Sequence, residues 1–531
     1  MPDPFAEQIY LYGPPYSGKT STGALLAAAL NLPFIDLDHE IEKQTSRLIP
    51  QIFQDSGEEG FRQREGEVLA QITEAGPAVI ALGGGALLSP ENRRRVEARG
   101  QVVCFNPPLE SLQQRAQTDS GIRPLLHEQA GQSSAEQAER LNSRLAALLE
   151  QRAAHYASFP LTITSGKLNP ANLVNLAQIR LGRFHVRGMG APYEILVRSQ
   201  LQNQAGSIFS NQGLNGPVAL LVDGQVARLA GGAASSLTAA GYSVRQITFA
   251  AGEKHKNIQT AALVWQDMLA QGIERRSMLL ALGGGVTTDL GGFAAAAYMR
   301  GIQWVAMPTS LLGMVDASIG GKTGVDLHTG KNIVGAFHPP RLVLIDPDFL
   351  STLPPVEFNN GMAEVIKAGI IGDEDLFDLC SQGPETVHSG LAEIIARAIA
   401  VKVRVIQADP FEENLRAVLN LGHTLGHALE SASGYHVRHG EAVASGMVAA
   451  ARLAQRRGLA QPGLVEKMTA TLLKFDLPVD LLASIPVQSI LDAMRSDKKR
   501  TAGKQRFVLP QRIGEVTYNH DIDEVEICTL F

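Results

Sequence analysis

Two histidines one helical turn apart, His423 and His427, lie in a stretch that also carries Arg416 and Asn420. At helical spacing these four residues fall at i, i+4, i+7 and i+11, so one continuous helix would present them on a single narrow face. A surface helix more often carries Lys and Glu on its polar face, and a core helix rarely buries four such groups without partners. The pattern therefore indicates a face that carries chemistry.

Other polar and charged residues flank that stretch. His439 and Glu441 follow it, whereas Glu364 and Lys367 precede it. Imidazole and carboxylate ligands without a cysteine suit a Lewis-acid Zn²⁺ or Co²⁺ with an open coordination position. A lone histidine is usually a satisfied polar residue, but two histidines beside Asn and Arg favour a metal and an anionic substrate over a purely structural helix.

A phosphate-binding motif stands near the start of the chain. The strand-like run 9–12 precedes Gly-Pro-Pro-Tyr-Ser-Gly-Lys-Thr at 13–20, and a helical pattern follows at 24–30. Backbone N–H groups of such a loop, a lysine ammonium group and a threonine hydroxyl are suited to bind phosphate oxygens and Mg²⁺. The spacing favours a nucleotide-binding loop over a chance glycine-rich turn. The predicted nucleotide ligands are Gly13, Ser17, Gly18, Lys19 and Thr20.

A second glycine-rich motif lies in the middle of the chain. An apolar run at 218–222 ends in Asp223, whose carboxylate is suited to accept ribose hydrogen bonds. The run 278–282 leads into three glycines at 283–285 and then a helix of small residues, which suits close approach of the backbone to a pyrophosphate. The motif differs from the Gly-x-Gly-x-x-Gly fingerprint, and a structural turn explains it about as well.

Composition excludes several classes of protein. A net charge of −6 opposes a nucleic-acid-binding role. Three widely spaced cysteines with no Cys-x-x-Cys pair disfavour a disulfide framework and a thiolate zinc site, and they fit a reducing cytoplasm. The start of the chain lacks a basic region, and its apolar runs are too short to span a bilayer, so we expect no membrane partner.

The order of predicted elements indicates an α/β fold class. Strand-like runs that end in glycine alternate with helical patterns to about residue 345, which is typical of parallel sheets covered by helices. Helical patterns dominate beyond about residue 349. We predict a P-loop domain at 1–182, a linker at 183–191, a Rossmann-like α/β domain at 192–348 and a mostly α-helical domain at 349–531.

The first region resembles the shikimate kinases. The matching segments, in order, are Phe-Ile-Asp-Leu-Asp at 34–38, Phe-Arg-x-x-Glu at 61–65, Gly-Gly-Gly at 83–85, Arg-Pro-Leu-Leu at 123–126 and Arg-x-x-x-Tyr at 152–156. The resemblance implies phosphorylation of shikimate by ATP with Mg²⁺. It implies that Asp38 orients the acceptor hydroxyl, that Asp36 supports Mg²⁺ and that Arg123 lies over the transferring phosphoryl group. The implied shikimate-binding residues are Arg62, Gly83, Gly84, Gly85 and Arg152, with Arg115 stacked on adenine.

One position departs from the shikimate kinase pattern. The family usually has a small residue, often glycine, where this loop has Tyr16, so a bulky side chain is expected to distort the phosphate-binding loop. An impaired or inactive kinase-like half is therefore an alternative, as is another small-molecule kinase of the gluconate or adenylate type. Asp38, Arg62 and Arg152 favour a carboxylated cyclic acceptor.

The region from about 192 to 515 resembles 3-dehydroquinate synthase. The matching segments are 252–256, 283–289, 298–301, 308–312, 315–323, 330–332, 364–367, 416–430 and 497–499. The resemblance implies conversion of 3-deoxy-D-arabino-heptulosonate 7-phosphate into 3-dehydroquinate and phosphate, with NAD⁺ and either Zn²⁺ or Co²⁺. In that reaction the cofactor oxidises and then restores a ring alcohol, and an aldol step closes the carbocycle.

The resemblance also assigns roles to individual residues. The implied metal ligands are Glu364, His423 and His439. The implied NAD-binding residues are Asp223, Glu253, Lys256, Gly284, Gly285, Val286, Asp289, Thr309 and Ser310, with Lys331 and Asn332 at the boundary between cofactor and substrate. The implied substrate-binding and catalytic residues are Arg300, Asp316, Lys322, Lys367, Lys402, Arg416, Asn420 and Lys498, with His427 beside the reacting centre. Clustered cations suit a substrate that carries both a carboxylate and a phosphate.

Two other enzyme classes share this nucleotide-plus-metal pattern. They are the related sugar-phosphate cyclases and the metal-dependent polyol dehydrogenases. The residues that favour dehydroquinate synthase over both are Lys402, Arg416, Asn420 and His427. The resemblance further implies a homodimer formed through the synthase half.

Overall fold

The computed structural model describes residue 5 and residues 7–117, 134–167, 169–327, 330–496 and 505–531. The chain divides into two compact units, Met1–Arg183 and Phe184–Phe531. Two predicted site residues, Arg123 and Lys498, lie outside the described residues. Within the described part of the chain, no helix combines the length and the apolar character needed to cross a bilayer.

The first unit alternates strands and helices. Its elements are β1 (Gln8–Tyr12), α1 (Lys19–Leu30), β2 (Phe34–Asp36), α2 (Leu37–Thr45), α3 (Ile49–Thr73), β3 (Val79–Ala81), α4 (Pro90–Arg99), β4 (Gly100–Phe105), α5 (Leu109–Ala116), α6 (Ser134–Ala157), β5 (Leu161–Ile163) and α7 (Pro170–Leu181). The five strands pair in parallel in the order β2-β3-β1-β4-β5.

Both faces of this sheet are covered by helices. Ile9 and Leu11 of β1 pack in a core with α1 and α7, whereas Tyr10 and Tyr12 pack on the other face with α3, α4 and α6. A parallel strand that is covered on both sides typically has a continuous apolar sequence, and residues 9–12 have one. Because the strands are parallel, β1, β2 and β3 all end at one edge of the sheet. The phosphate-binding loop follows β1, Asp36 ends β2, and Gly83 lies just after β3.

The second unit begins with a mixed region of strands and helices. Its elements are β6 (Arg183–Val186), β7 (Tyr193–Val197), α8 (Ala205–Asn211), β8 (Val218–Asp223), α9 (Gly231–Ala239), β9 (Val244–Phe249), α10 (Ile258–Ala270), β10 (Met278–Gly283), α11 (Gly285–Ala297), β11 (Gln303–Pro308), β12 (Lys322–Leu327), β13 (Gly330–Phe337) and β14 (Leu342–Ile345). Seven strands form a sheet in the order β6-β7-β14-β11-β10-β8-β9, and its pairs from β7 to β9 are parallel.

The remainder of the second unit is mostly helical. Its elements are α12 (Pro355–Gly372), α13 (Glu374–Gln382), α14 (Pro384–Ser389), α15 (Leu391–Ala408), α16 (His423–Ala432), α17 (His439–Arg456), α18 (Leu464–Leu473), α19 (Val487–Ser496), β15 (Gln505–Arg512), β16 (Glu515–Ile522) and α20 (Glu524–Cys528). The α/β fold with a helical final region is confirmed. The antiparallel hairpin of β15 and β16 is an addition to it.

The predicted continuous helix from Arg416 to Glu430 is wrong. Residues 415–420 form a 3₁₀ helix, and α16 begins only at His423. Gly422 interrupts the helical geometry between them, because its φ is +79°. A Cβ at this glycine would lie 2.7 Å from the carbonyl oxygen of Val443 on α17. The close approach of α17 therefore requires glycine at the break, a constraint that helical periodicity does not reveal.

The predicted linker at 183–191 contains a strand. Residues 183–186 form β6, which is hydrogen-bonded beside β7 in the large sheet, and the boundary between the two compact units falls at Arg183. The four domain limits given from the sequence stay a prediction.

Candidate active sites

The phosphate-binding loop joins β1 to α1 in the first unit. Gly13 and Gly18 have φ of +135° and +89°, and a Cβ at Gly13 would lie 2.1 Å from the carbonyl oxygen of Phe105. The ammonium group of Lys19 donates to the carbonyl oxygens of Gly13 at 2.9 Å and Pro14 at 2.8 Å. The loop thus folds around the lysine, and α1 begins at its end with N–H groups suited to bind phosphate.

The two residues predicted to support Mg²⁺ are in direct contact. Thr20 donates a 2.8 Å hydrogen bond from its hydroxyl to Oδ2 of Asp36. Oδ1 of Asp36 accepts the backbone N–H of Asp38 at 3.0 Å, and so caps α2. This cap holds Asp38 beside the loop.

The predicted acceptor residues converge around the glycines that follow β3. A Cβ at Gly83 would lie 3.2 Å from Oδ1 of Asp38, and one at Gly85 would lie 2.4 Å from Nη2 of Arg62. The carbonyl oxygen of Gly84 accepts a 3.0 Å hydrogen bond from Nη1 of Arg152. Two guanidinium groups and one carboxylate therefore surround the same stretch of backbone.

Glu65 belongs to this site, although no role was expected for it from the sequence. Its side chain is 1% exposed, and its Oε2 lies 2.6 Å from Nη1 of Arg62. Burial raises the pKa of Glu65 to about 7, against the opposing effect of the Arg62 charge. The Arg-x-x-Glu spacing on α3 was the available signal, because residues three apart on a helix face each other.

Tyr16 has a conformation that separates its side chain from the phosphate-binding loop. Its φ is +64°, in the left-handed region, and its ring packs in a buried cluster with Leu112, Ala116 and Leu145 of α5 and α6. The bulk of the residue is therefore directed into a core. Arg115 lies on the same α5 and donates a 3.3 Å hydrogen bond to the hydroxyl of Ser21, close to Gly18.

The predicted cofactor residues of the second unit gather where β8, β10 and β11 end. Asp223 accepts a 3.1 Å hydrogen bond from Thr287 on α11. Gly284 precedes α11, so Gly285 and Val286 present their N–H groups at the start of that helix. The N–H of Thr309 donates to Gly283 at 2.9 Å, and a Cβ at Gly284 would lie 3.5 Å from the hydroxyl of Ser310.

A buried lysine crosses this edge of the sheet. The ammonium group of Lys256 donates to Oδ2 of Asp289 at 2.5 Å and to Oδ1 of Asn332 at 2.6 Å. Although burial would lower it, Asp289 and the nearby Glu253 hold the pKa of Lys256 above its usual value. The ammonium group of Lys256 thus links α11, which carries Asp289, to β13, which carries Asn332.

Three predicted metal ligands from three helices meet in the helical region. Oε1 of Glu364 on α12 lies 3.7 Å from Nε2 of His423 and 3.4 Å from Nε2 of His439. Both α12 and α16 pack on α17, which places these side chains together. The ring of His427 lies beside them, with its centroid 5.3 Å from that of His423.

Two carboxylates make this cluster attractive to a cation, since Glu364 and Glu430 raise the pKa of His439 to about 10 although burial would lower it. Although burial alone would raise it, Lys367 and His439 lower the pKa of Glu364 to about 2. Burial and the charge of Lys367 hold the pKa of His423 well below its usual value, so its ring is neutral. Oε1 of Glu364 is buried without a hydrogen-bond partner among the described residues. A buried carboxylate oxygen that has no hydrogen-bond partner and faces two imidazole nitrogens is suited to bind a divalent metal ion.

Cationic and polar side chains lie beside the cluster. Lys367 contacts Glu364, Lys402 donates a 2.7 Å hydrogen bond to the carbonyl oxygen of Asp316, and Nη2 of Arg416 lies 3.4 Å from the carbonyl oxygen of Gly320. Lys402 interacts electrostatically with both Lys367 and Arg416, so these three predicted substrate-binding cations lie in one region of the second unit.

Glu412 is a further residue of this region that has no role in the sequence analysis. It contacts the ammonium group of Lys322 and accepts a 3.3 Å hydrogen bond from Asn420. Its loop is ordered by Asp409, which accepts the backbone N–H of Arg416 at 2.9 Å. Arg300, by contrast, is exposed after α11, and no hydrogen bond or ion pair joins its side chain to other described residues.

Comparison with known proteins identifies the family. Residues 246–360 match the model of the 3-dehydroquinate synthase N-terminal domain, and residues 361–500 match that of the C-terminal domain. A 3-dehydroquinate synthase of Nostoc punctiforme is 44% identical over 342 residues, which cover 62% of this chain and 93% of that protein. This chain belongs to the 3-dehydroquinate synthase family.

This chain also carries a shikimate kinase domain, because its residues 15–173 match the shikimate kinase model. The chain is therefore a bifunctional enzyme of the shikimate pathway, as the two resemblances predicted. A second relative, the 3-dehydroquinate synthase of a Synechococcus strain, is 48% identical over 295 residues, which cover 54% of this chain and 80% of that protein.

Solved structures resemble the synthase part of the chain. The 2-epi-5-epi-valiolone synthase of Streptomyces hygroscopicus, solved with NAD⁺ and Zn²⁺, is 31% identical with a TM-score of 0.58, covering 64% of this chain and 95% of that one. The 2-deoxy-scyllo-inosose synthase, solved with carbaglucose-6-phosphate, NAD⁺ and Co²⁺, is 27% identical with a TM-score of 0.58, covering 66% of this chain and 98% of that one.

Proposed function

We propose that this chain transfers phosphate from ATP to shikimate and, at a separate site, converts 3-deoxy-D-arabino-heptulosonate 7-phosphate into 3-dehydroquinate and phosphate. The observation that carries the second reaction is the approach of Glu364, His423 and His439 beside buried Lys367 and Lys402. A cation site next to anion-binding groups suits a substrate that bears both hydroxyl and phosphate groups.

Glu364, His423 and His439 would hold the divalent metal ion, which is Zn²⁺ or Co²⁺ by analogy with the ions named in the two solved synthases. The bound ion would act as a Lewis acid that polarises the substrate alcohol and carbonyl oxygens. Lys367 contacts Glu364 and orients that carboxylate. His427 lies beside the cluster and would exchange a proton with the reacting substrate.

NAD⁺ would lie along the edge where β8, β10 and β11 end, and it would accept and return a hydride. There the N–H groups at the start of α11 would bind pyrophosphate oxygens, and Asp223 would accept hydrogen bonds from a ribose. Lys256 donates hydrogen bonds to Asp289 and Asn332, and so connects α11 and β13 beside this site.

The substrate phosphate would be bound by the cations of the same unit. Lys322, Lys402 and Arg416 supply positive charge that stabilises the phosphate as it leaves, because charge-assisted hydrogen bonds are about twice as strong as neutral ones. Asn420 and Lys322 both contact Glu412, so this carboxylate must exchange partners when substrate enters.

In the kinase unit, Arg62 and Arg152 would bind the shikimate carboxylate, and Asp38 would orient the hydroxyl that accepts the phosphoryl group. Thr20 and Asp36 would support Mg²⁺, while Lys19 neutralises charge on the phosphates. Phosphoryl transfer depends mainly on such positioning and charge neutralisation. The packing of Tyr16 into a core supports an active kinase over an impaired one.

Both reactions are tested on one purified full-length protein. Lys19→Ala should abolish phosphorylation of shikimate and spare the synthase, whereas Glu364→Ala should do the reverse. Lys43→Ala and Glu466→Ala, which alter exposed residues, are the matched controls. A zinc chelator in the presence of excess Mg²⁺ should stop only the synthase. Loss of both activities from either site variant would contradict two independent sites.

Product analysis in the same experiment addresses a second candidate. The two solved structures are named as a 2-epi-5-epi-valiolone synthase and a 2-deoxy-scyllo-inosose synthase, so the reaction product must be identified rather than only the release of phosphate. Formation of 3-dehydroquinate supports the first proposal, and a different carbocycle would replace it.

Two further properties belong to the proposal. We infer a homodimer formed through the synthase part, which light scattering of the purified protein would test. We also infer a cytoplasmic location, supported by the two buried free cysteines, Cys104 and Cys380.

A further inference from the structure

Glu430 approaches His439 from the side opposite Glu364. Nδ1 of His439 lies 3.5 Å from Oε2 of Glu430, whereas Nε2 of the same ring lies 3.4 Å from Oε1 of Glu364. Glu430 is 5% exposed and lies on α16, the helix that begins with His423. The imidazole of His439 is therefore placed between two buried carboxylates.

The two nitrogens of a neutral imidazole have different roles. One carries the proton, and only the other offers a lone pair to a metal. An acceptor at Nδ1 keeps the proton there and leaves Nε2 facing Glu364. His423 has the same arrangement, because its Nδ1 lies 3.2 Å from the carbonyl oxygen of Leu421 and its Nε2 faces Glu364. Each of the two histidines thus has its own acceptor at Nδ1.

The other oxygen of Glu430 is held by a lysine. Oε1 of Glu430 lies 3.3 Å from Nζ of Lys331 on β13, and the same ammonium group lies 4.7 Å from the centre of the Tyr435 ring. Strand and helix together limit rotation of the carboxylate. Glu430 therefore connects the strand that carries Lys331 and Asn332 to a proposed metal ligand.

A different metal position is conceivable, since His427, Glu430 and His439 also have ligand atoms within 4.8 Å of one another. That position would make Glu430 a ligand. However, Glu430 already accepts from Lys331, whereas Oε1 of Glu364 has no hydrogen-bond partner among the described residues and faces two imidazole nitrogens. The geometry favours the ion at Glu364.

We propose that Glu430 is a positioning residue that accepts the Nδ1 proton of His439 and so directs Nε2 of this ring to the metal. The role rests on the metal centre proposed above. Carboxylates that accept the second N–H of a metal-binding histidine fix its tautomer and orientation, and their removal typically weakens metal binding by about 10- to 100-fold.

The test measures metal affinity in the full-length protein stripped of metal. Zn²⁺ is titrated in competition with a chromogenic chelator, and the visible spectrum is recorded at saturating Co²⁺. Glu430→Gln should weaken Zn²⁺ binding by about 10- to 100-fold and alter the Co²⁺ spectrum. Glutamine has a single acceptor oxygen for the two donors at Lys331 and His439, whereas Glu430→Asp keeps both carboxylate oxygens and should recover part of the affinity. Circular dichroism and thermal melting check that each variant is folded.

Glu441→Gln is the matched control. Glu441 lies two residues from His439 on α17 and caps that helix, and glutamine preserves this cap while removing the same charge. Wild-type affinity and spectrum are expected for it. An equal loss in Glu441→Gln and Glu430→Gln would show a general charge effect and overturn the proposal.

Glu364→Gln separates this inference from the metal centre itself. It should weaken metal binding more than Glu430→Gln does. If Glu364→Gln loses the metal while Glu430→Gln binds it as the wild type does, the role of Glu430 is wrong and the metal centre stands. If Glu364→Gln has no effect, the proposed metal centre is wrong. If Glu430→Gln alone abolishes binding, Glu430 is a ligand rather than a positioning residue.

Discussion

The ammonium group of Lys402 donates a 2.7 Å hydrogen bond to the carbonyl oxygen of Asp316 and also contacts its carboxylate. Lys402 lies on α15, 86 residues after Asp316, which lies in the helical turn 313–317. Although burial would raise it, Lys402 holds the pKa of Asp316 below its usual value. The pair thus connects the α/β and helical parts of the synthase unit at the proposed substrate site.

Lys402→Met should lower kcat/KM of the synthase by about 100-fold or more, because it removes one partner of a buried charged pair. Steady-state kinetics with the heptulosonate phosphate would measure this loss. Lys467→Met, at an exposed lysine paired with Asp378, is the control and should behave as the wild type. Unchanged kinetics in Lys402→Met would show that this lysine is not part of the substrate site.

Thr20→Val should raise the KM for MgATP and lower kcat of the kinase, because the substitution removes the hydroxyl that bonds Asp36 and is proposed to support Mg²⁺. Initial rates at varied MgATP would measure both constants. Thr22→Val is a close control, since the Thr22 hydroxyl is buried without a hydrogen-bond partner among the described residues. Equal effects of the two substitutions would point to packing of α1 instead.

The raised pKa of Glu65, about 7, predicts a pH-dependent stability of the kinase unit. Since its pKa in the folded state lies above the unfolded value, this group stabilises the fold below about pH 4.5, and that contribution is lost as pH rises through 7. Glu65→Gln cannot ionise, so its Tm should exceed that of the wild type at pH 8 by more than at pH 5. Calorimetry at the two pH values would show it, and a constant difference would contradict the prediction.

Tyr16→Gly should lower the stability of the kinase unit by about 2–4 kcal/mol, because the cavity left beside Leu112 and Leu145 outweighs the relief of the left-handed backbone. Thermal melting would measure the change. Tyr16→Phe keeps the ring and should retain both stability and the KM for ATP. A large gain of kinase activity in Tyr16→Gly would instead show that the tyrosine impairs the loop.

Much of the fold was accessible from local patterns. The loop at 13–20 lies between β1 and α1 as its spacing predicts, Asp223 ends β8 and Gly284 follows β10. These features depend on residues close together in the chain, where turn chemistry and hydrophobic periodicity act. The resemblance to both families added the enzyme classes, which the comparisons confirm.

Other features depend on packing between distant segments. The helical face predicted from Arg416 to His427 is broken at Gly422, because α17 approaches the backbone there. The contacts of Glu412 with Lys322 and of Glu430 with His439 have no local signal at all. Side chains that meet across separate elements are placed by tertiary packing, which periodicity along one segment does not encode.

The types of residue needed for phosphate, metal and dinucleotide binding were thus evident in the amino-acid order alone, since each motif is short and chemically distinctive. Their arrangement was not. Only the packing of α12 and α16 on α17 brings Oε1 of Glu364 within 3.7 Å of His423 and 3.4 Å of His439. The same packing places the carboxylate of Glu430 beside Nδ1 of His439. Distances between helices are determined by how their side chains interlock in three dimensions.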